Sequence, residues 1–433
     1  MKKFIKQNIF GILILFSASL MFAYIIYKSE LYFGGSKRDH YFKYYILSVI
    51  LICFGLLMFF FNQILKKYLL ILLISSTFSL YLFELYLIKF QRLDTDAKIF
   101  KKEFEKNWDT RNRIEFYKDL KKINKDAVVV VNPSNYLLSD KPIFPFSGAS
   151  NLKTMFCNEN GYYAIYESDR YGFNNPDYEW DKKNIEYLLV GDSFTQGACV
   201  NRPNDIASVL RNLSEKSSLN LGYGGNGPLI SYAVLREYLA SNVKKILWIY
   251  YEDNDLIDLR NEKNNKILLK YLNDLSFKQN LKYKQNQINE LTKESIESSL
   301  KVSVNTKEGR QNFNFKFKRF LKLYYTRSAL FSTAPQIEFK KILQMTKDLA
   351  NKNNSKLYFV YLPAHSRYVS IYNNNYRKVK KIVNDLKIPF IDIHEEVFKK
   401  EKNPLKLFPL RLSGHYTVEG YKKVSEAIYM LTN

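Results

Sequence analysis

Apolar positions follow two regimes along the chain. From Asn8 to Ile88 they run almost unbroken, and beyond Ile185 they come in short blocks separated by polar, helix-prone stretches. Asn8 to Tyr27 (NIFGILILFSASLMFAYIIY) carries no charge. It is about 20 residues long, enough at about 1.5 Å per residue to cross a hydrocarbon core of about 30 Å. A signal peptide shares the basic lead-in, here Lys2, Lys3 and Lys6, but its apolar stretch is shorter and no further spans follow it directly. Residues 44–65 and 68–88 read as two more spans, with Lys66 and Lys67 forming a tight hairpin between them. Residues 1–89 are therefore expected to be a membrane region with three transmembrane helices, at about 8–27, 44–65 and 68–88. Glu84 lies near the end of the third. An acid inside a span is a functional suspect, and one near a helix end is more often an interfacial group.

Charge hardly fixes the orientation. With the N-terminus inside, Lys2, Lys3, Lys6, Lys66 and Lys67 face Lys28, Lys37, Arg38 and Lys43 across the membrane. First-helix dominance favours the N-terminus inside. Three spans would then put everything after Ile88 outside the cytoplasm.

Past the membrane region, residues 90–180 read as a charged connector and N-terminal extension, with a short β-branched run at Ala127–Val131. Residues 181–433 read as one α/β domain. Strands are expected at Ile185–Val190, Ser218–Leu221, Val243–Tyr251, Lys356–Leu362 and Pro389–Ile393. Helices are expected at Pro203–Leu213, Leu229–Leu239, Tyr376–Leu386 and Val418–Leu431. Such alternation implies a parallel sheet sandwiched by helices. A Lys/Asn/Gln-rich stretch at about 259–334 reads as an insertion carrying helices or a partly disordered loop.

Composition narrows the classes. With 46% hydrophobic and 25% charged residues the chain is not a disordered one. The net charge of +24 would suit a polyanion, but the lysines are scattered and no nucleic-acid motif accompanies them, so no nucleic-acid partner is expected. Three Cys exclude a disulfide-stapled fold, and four His without a close pair argue against a His-rich metal centre.

Ligands of such sheets collect at the C-terminal ends of the strands, and the chemistry-bearing turns sit there. Gly191-Asp192-Ser193 follows the first strand. A serine on a strand-to-helix turn can expose its hydroxyl near backbone N–H groups; alternatively, Asp192 or Ser193 is only an N-cap. Asn220-Leu221-Gly222-Tyr223-Gly224-Gly225 lacks the Lys-Ser/Thr of a phosphate-binding loop. Glu252-Asp253-Asn254-Asp255 offers the Asn254 amide to an oxyanion or an Asx turn, and too few spaced oxygens for a metal. Gly414-His415-Tyr416-Thr417-Val418-Glu419-Gly420-Tyr421 precedes the last helix.

These four segments, in this order, resemble the four blocks of the SGNH (GDSL) hydrolase family. The upstream Ser168-Asp169-Arg170-Tyr171-Gly172-Phe173-Asn174-Asn175 resembles a segment of its bacterial membrane-anchored branch. The resemblance spans roughly Ile185 to the C-terminus. It implies a flavodoxin-like sheet and no cofactor. It further implies Ser193 as nucleophile, His415 as general base, and an oxyanion hole from the Ser193 N–H, the Gly225 N–H and the Asn254 amide. Two positions depart from the family pattern. Glu252 stands where a glycine is usual, and Leu412 stands where the triad acid is expected, three positions before the histidine. The imidazole would then be oriented by a backbone carbonyl, or by an acid from elsewhere, with Asp392 and Glu419 as candidates.

The function implied is a membrane-anchored esterase or deacetylase acting on an acylated cell-envelope carbohydrate or similar ester through an acyl-serine. An O-acyltransferase and a non-catalytic glycan-binding or assembly protein are the alternatives. A soluble domain outside the cytoplasm would expose Cys157 and Cys199, which flank the Ser193 strand, to oxidation, either as a pair or as two buried thiols.

Overall fold

The computed structural model describes every residue except Met1, Phe33, 36–37, 91–95, 306–316, Lys318, 324–325, 327–334 and 370–374. The chain divides into two compact units, Met1–Gln91 with Arg319–Thr326, and Arg92–Lys318 with Arg327–Asn433. The 92–180 stretch thus belongs to the same unit as the sheet domain. Lys37 of the charge count and the later part of the 259–334 insertion lie outside the described residues.

The first unit contains helices Lys2–Ile26, Arg38–Leu57 and Gln63–Phe90. Among the described residues, two apolar helical stretches are long enough to cross a membrane, Gln7–Tyr32 and Gln63–Tyr86, whereas the middle one covers only Tyr41–Leu57. The expected three spans are therefore corrected to two. The cause is a turn inside the 44–65 run: the Phe59 and Phe60 N–H groups bond back to the Leu56 and Leu57 carbonyls at 3.2 and 3.0 Å, ending the helix. What remains reaches only about 25 Å. The bend therefore falls at 58–62, before Lys66 and Lys67. The side chain of Asn62 caps the next helix by accepting the Leu65 N–H at 2.8 Å. Lys66, inside that helix, donates to Asn8 Oδ1 at 2.7 Å. Glu84 is buried and accepts the Thr326 N–H at 2.7 Å, so it is an interior group of this unit.

The second unit is built on a five-stranded sheet. Its strands are β4 (Ile185–Val190), β5 (Ser218–Asn220), β6 (Val243–Tyr251), β7 (Lys356–Leu362) and β8 (Phe390–Asp392), in the order β5-β4-β6-β7-β8. Every pairing is parallel. Both faces are covered, which is why the strands read as continuous apolar runs. Leu188, Trp248 and Phe359 point into one core, and Leu189, Leu247 and Val360 into the other. The first core takes the Pro228–Tyr238 and Ile337–Lys352 helices; the second takes Ile206–Ser214 and Val418–Thr432.

Beside it lies a three-stranded sheet, β1 (Val128–Val129), β2 (Lys153–Met155) and β3 (Ile165–Glu167), with β2 and β3 antiparallel. The 156–164 segment joining β2 to β3 has no counterpart among the sequence expectations. The described part of the insertion is also more structured than its polarity suggests. Its helices Lys266–Asn273 and Gln285–Asn305 bury Leu268, Tyr271, Ile288 and Ile296, and Tyr136 donates to the Leu291 carbonyl at 3.1 Å.

Candidate active site

Ser193 opens a short helix, Ser193–Gln196, directly after β4. Asp192 is its N-cap, accepting the Phe194 N–H at 2.9 Å. The capping and nucleophile readings of this turn therefore fall on different residues. The turn is braced from three directions. Asn220 Nδ2 donates to the Thr195 carbonyl at 2.6 Å, and Gln196 Oε1 accepts the Gly224 N–H at 2.8 Å. Asn174 donates to the Gln196 carbonyl at 2.8 Å. The Ser168–Asn175 segment is thus a prop. Its buried Asp169 accepts from Trp180 Nε1 and Asn175 Nδ2, both at 2.8 Å, and Asn175 in turn accepts the Asn220 N–H.

His415 comes from the opposite side, in the loop before the Val418–Thr432 helix, which Thr417 caps. Its Nε2 lies 2.8 Å from Ser193 Oγ. The Phe194 ring packs against the imidazole and against Tyr251 and Tyr416, which fixes the histidine's place over the sheet edge.

The acid on this histidine is Glu159, from the β2–β3 connection. Its Oε1 is 2.9 Å from His415 Nδ1, and its Oε2 accepts the His415 backbone N–H at 2.7 Å. The carboxylate therefore grips ring and backbone together. Gly414 makes room for it: a Cβ there would sit 2.7 Å from Glu159 Oε2. With the proton on Nδ1, the Nε2 lone pair is left to accept from Ser193. Burial alone would lower the His415 pKa, but the Glu159 carboxylate outweighs it and holds the imidazole above its usual 6.5. Burial likewise works to raise Glu159, and the facing His415 brings it below its ordinary value.

This corrects the expected orienting group. Asp392 is engaged elsewhere, accepting from Tyr376 Oη and lying 3.3 Å from Lys380 Nζ while it caps residues 393–396. Glu419 points away and pairs with Lys423 at 3.3 Å. Neither meets His415, whose Nδ1 faces the Glu159 carboxylate rather than a backbone carbonyl.

The remaining predicted residues line the same edge. The backbone N–H groups of Ser193 and Gly225 have no hydrogen-bond partner among the described residues. Gly225 has φ +76, and a Cβ there would lie 2.6 Å from Ser134 Oγ, so this turn requires glycine. Asn254 begins the Asp255–Glu262 helix, and its Nδ2 donates to Asp258 Oδ2 at 2.9 Å. Neither Gly225 nor Asn254 hydrogen-bonds to Ser193 among the described residues.

Behind this edge lies a buried acidic group. Burial, with Asp192 adding to it, pushes Asp258 up to about 7. Burial and Asp258 push Glu262 up to about 8, and Glu262 accepts the Gly227 and Leu229 N–H groups at 2.6 and 2.9 Å. Glu252, where the resemblance leads us to expect a glycine, is buried against Arg367 and accepts from Tyr361 Oη at 2.6 Å and the Ala364 N–H at 2.8 Å. It is a strut between β6 and the chain after β7.

Cys157 and Cys199 form a disulfide. Their sulfurs and the His415 ring lie within 4.8 Å of one another. Sulfurs bonded to each other offer no thiolate, so this grouping is not a metal centre.

No protein-family model matches the chain, and no curated protein does. Among solved structures, the chain resembles a Desulfitobacterium hafniense DCB-2 protein assigned to the G-D-S-L lipolytic family, at 13% identity and a TM-score of 0.33, covering 57% of this chain and 99% of that one. It also resembles the YXIM protein of Bacillus subtilis, at 12% identity and a TM-score of 0.31, covering 57% of this chain and 55% of that one. At this level of overlap, function must be argued from the site's own geometry.

Proposed function

We propose that the chain is a membrane-anchored serine esterase of the SGNH type, in which Ser193, His415 and Glu159 form a catalytic triad. The carrying observation is the relay itself, Oγ to Nε2 at 2.8 Å and Nδ1 to Oε1 at 2.9 Å. A serine hydroxyl is a weak nucleophile and needs an adjacent base. His415 takes the Ser193 proton as Oγ attacks an ester carbonyl, and Glu159 stabilises the imidazolium that forms. The tetrahedral oxyanion faces the Ser193 and Gly225 N–H groups, with the Asn254 amide as third donor. His415 then returns its proton to the leaving alcohol. Water, activated by the same imidazole, resolves the acyl-serine. In an O-acyltransferase a sugar hydroxyl would take the water's place.

One further feature supports a site outside the cytoplasm: a disulfide beside the site suits an oxidising compartment. With two apolar helices rather than three as spans, that placement requires the N-terminus outside as well, reversing the orientation that first-helix dominance favours. A fixed, acylated cell-envelope glycan is the substrate class this arrangement fits. The test uses the full chain in detergent with p-nitrophenyl acetate and longer acyl esters. Turnover by wild type and none by Ser193→Ala is the expected result. Equal rates in both would remove the assignment.

A further inference from the structure

The segment that delivers Glu159 does not belong to the main sheet. It is the connection between two three-residue strands, β2 and β3. What joins it to the serine turn is covalent: Cys157 stands two residues before Glu159, and its partner Cys199 stands six residues after Ser193. Cys199 Sγ also lies 3.8 Å from His415 Nδ1, so the bridge sits against the ring that Glu159 grips. Non-covalent ties to the serine side are few. Asn160 Nδ2 donates to the Cys199 carbonyl at 3.0 Å, and Asn201 Oδ1 accepts the Ile165 N–H at 2.8 Å. On its other side the segment bonds to Asp109, which lies on the connector.

We infer that the Cys157–Cys199 disulfide is the positioning element of the triad acid, so that the site is complete only in the oxidised chain. This rests on the triad reading above. Glu159 sits on the short 158–163 loop, which backbone bonds at Phe156, Cys157 and Ala164 close but do not fix against the serine turn; a cross-link two residues away removes conformations the loop would otherwise have to lose before its carboxylate meets the histidine. A dithiol breaks the S–S bond by passing two electrons and two protons to the sulfurs, leaving two cysteine thiols and the dithiol's own cyclic disulfide. Glu159 is then held by its own bonds to His415, by the backbone bonds that close the β2–β3 connection and by the ties to Asp109 and Cys199, and no covalent link joins its segment to the serine turn. A chain kept reduced before export would be latent, and oxidation would switch it on.

The experiment compares the oxidised full chain, the dithiothreitol-reduced chain and Cys157→Ala/Cys199→Ala, each with and without Glu159→Gln. Ester turnover should fall at least tenfold on reduction and in the double variant. In the Glu159→Gln background reduction should cost less than twofold, because the clamp then has nothing to position; a merely structural clamp would cost the same in both backgrounds. A second readout needs no activity. Carbethoxylation of His415 by diethyl pyrocarbonate, followed by mass spectrometry against pH, reports the imidazole's own titration. Its midpoint should drop on loss of the bridge. Reduced chain with unchanged turnover and unchanged His415 titration would overturn the inference. Oxidised chain without turnover but with the expected drop in titration would keep the clamp and remove the esterase reading.

Discussion

Two regions meet at His415, and they are built differently. The Ser193 side is the end of a parallel sheet buried on both faces, where each functional residue follows a strand or opens a helix and is braced by hydrogen bonds from neighbouring turns. The Glu159 side is a connection in a small peripheral sheet, held to the first by a disulfide and few amide contacts. The sheet gives Ser193, Gly225 and Asn254 a rigid, local frame. The acid needs only to bring one carboxylate to Nδ1, and any segment that reaches the spot can carry it. That division explains how a carboxylate–imidazole–serine relay forms although Leu412 stands three positions before the histidine, where the resemblance leads us to expect the acid.

The comparison can be broken most severely on the sheet side. Ser193→Ala should reduce ester turnover on the order of 10⁶-fold, the scale seen when a serine protease loses its nucleophile. On the connection side, Glu159→Gln should cost about 10⁴, because the amide holds the wrong tautomer. It should also move the acid limb of kcat/KM. His415 sits above 6.5 in the intact site, so the base form is lost as pH falls through that raised value. Without the Glu159 carboxylate the limb should shift to lower pH. Asn254→Ala should lower kcat by about 10² to 10³ with little change in KM, since an oxyanion donor acts mainly in the transition state. Asp392→Asn and Glu419→Gln should leave turnover within a few-fold, as their partners are Tyr376, Lys380 and Lys423.

The smallest effect is on stability. Glu262 releases its proton near 4.5 when unfolded and at about 8 when folded. Between those values the folded chain holds a proton the unfolded chain has lost. Its contribution is therefore present at low pH and fades as pH rises through that window. Thermal unfolding from pH 5 to pH 9 should show a falling Tm for wild type and a flatter decline for Glu262→Gln. An identical slope would mean Glu262 is ionised in the folded chain.

The main sheet was legible because burial on both faces writes itself as apolar runs, and β4, β6 and β7 fall where those runs do. That Ser193 and His415 stand on turns at one sheet edge was legible from their segments, and the structure brings them within 2.8 Å of each other. Glu159 was not, because it lies 256 positions from its histidine and no periodicity encodes that contact. A signal did exist: Asn158-Glu159-Asn160-Gly161 is a turn sequence between Lys153–Phe156 and Tyr162–Tyr166, both rich in strand formers. The membrane region failed for a different reason. The turn after Leu57 carries Met58, Phe59, Phe60 and Phe61, so hydropathy runs through it, and Asn62 is the one polar mark of a helix start.

The most direct test of the triad is to expose the oxidised full chain to a fluorophosphonate and map the adduct by peptide mass spectrometry. A serine activated by His415 and Glu159 should carry the phosphonyl group on Ser193 at near stoichiometry, with no adduct in Ser193→Ala. An unlabelled Ser193, or an adduct on any other residue that persists in Ser193→Ala, would contradict the account.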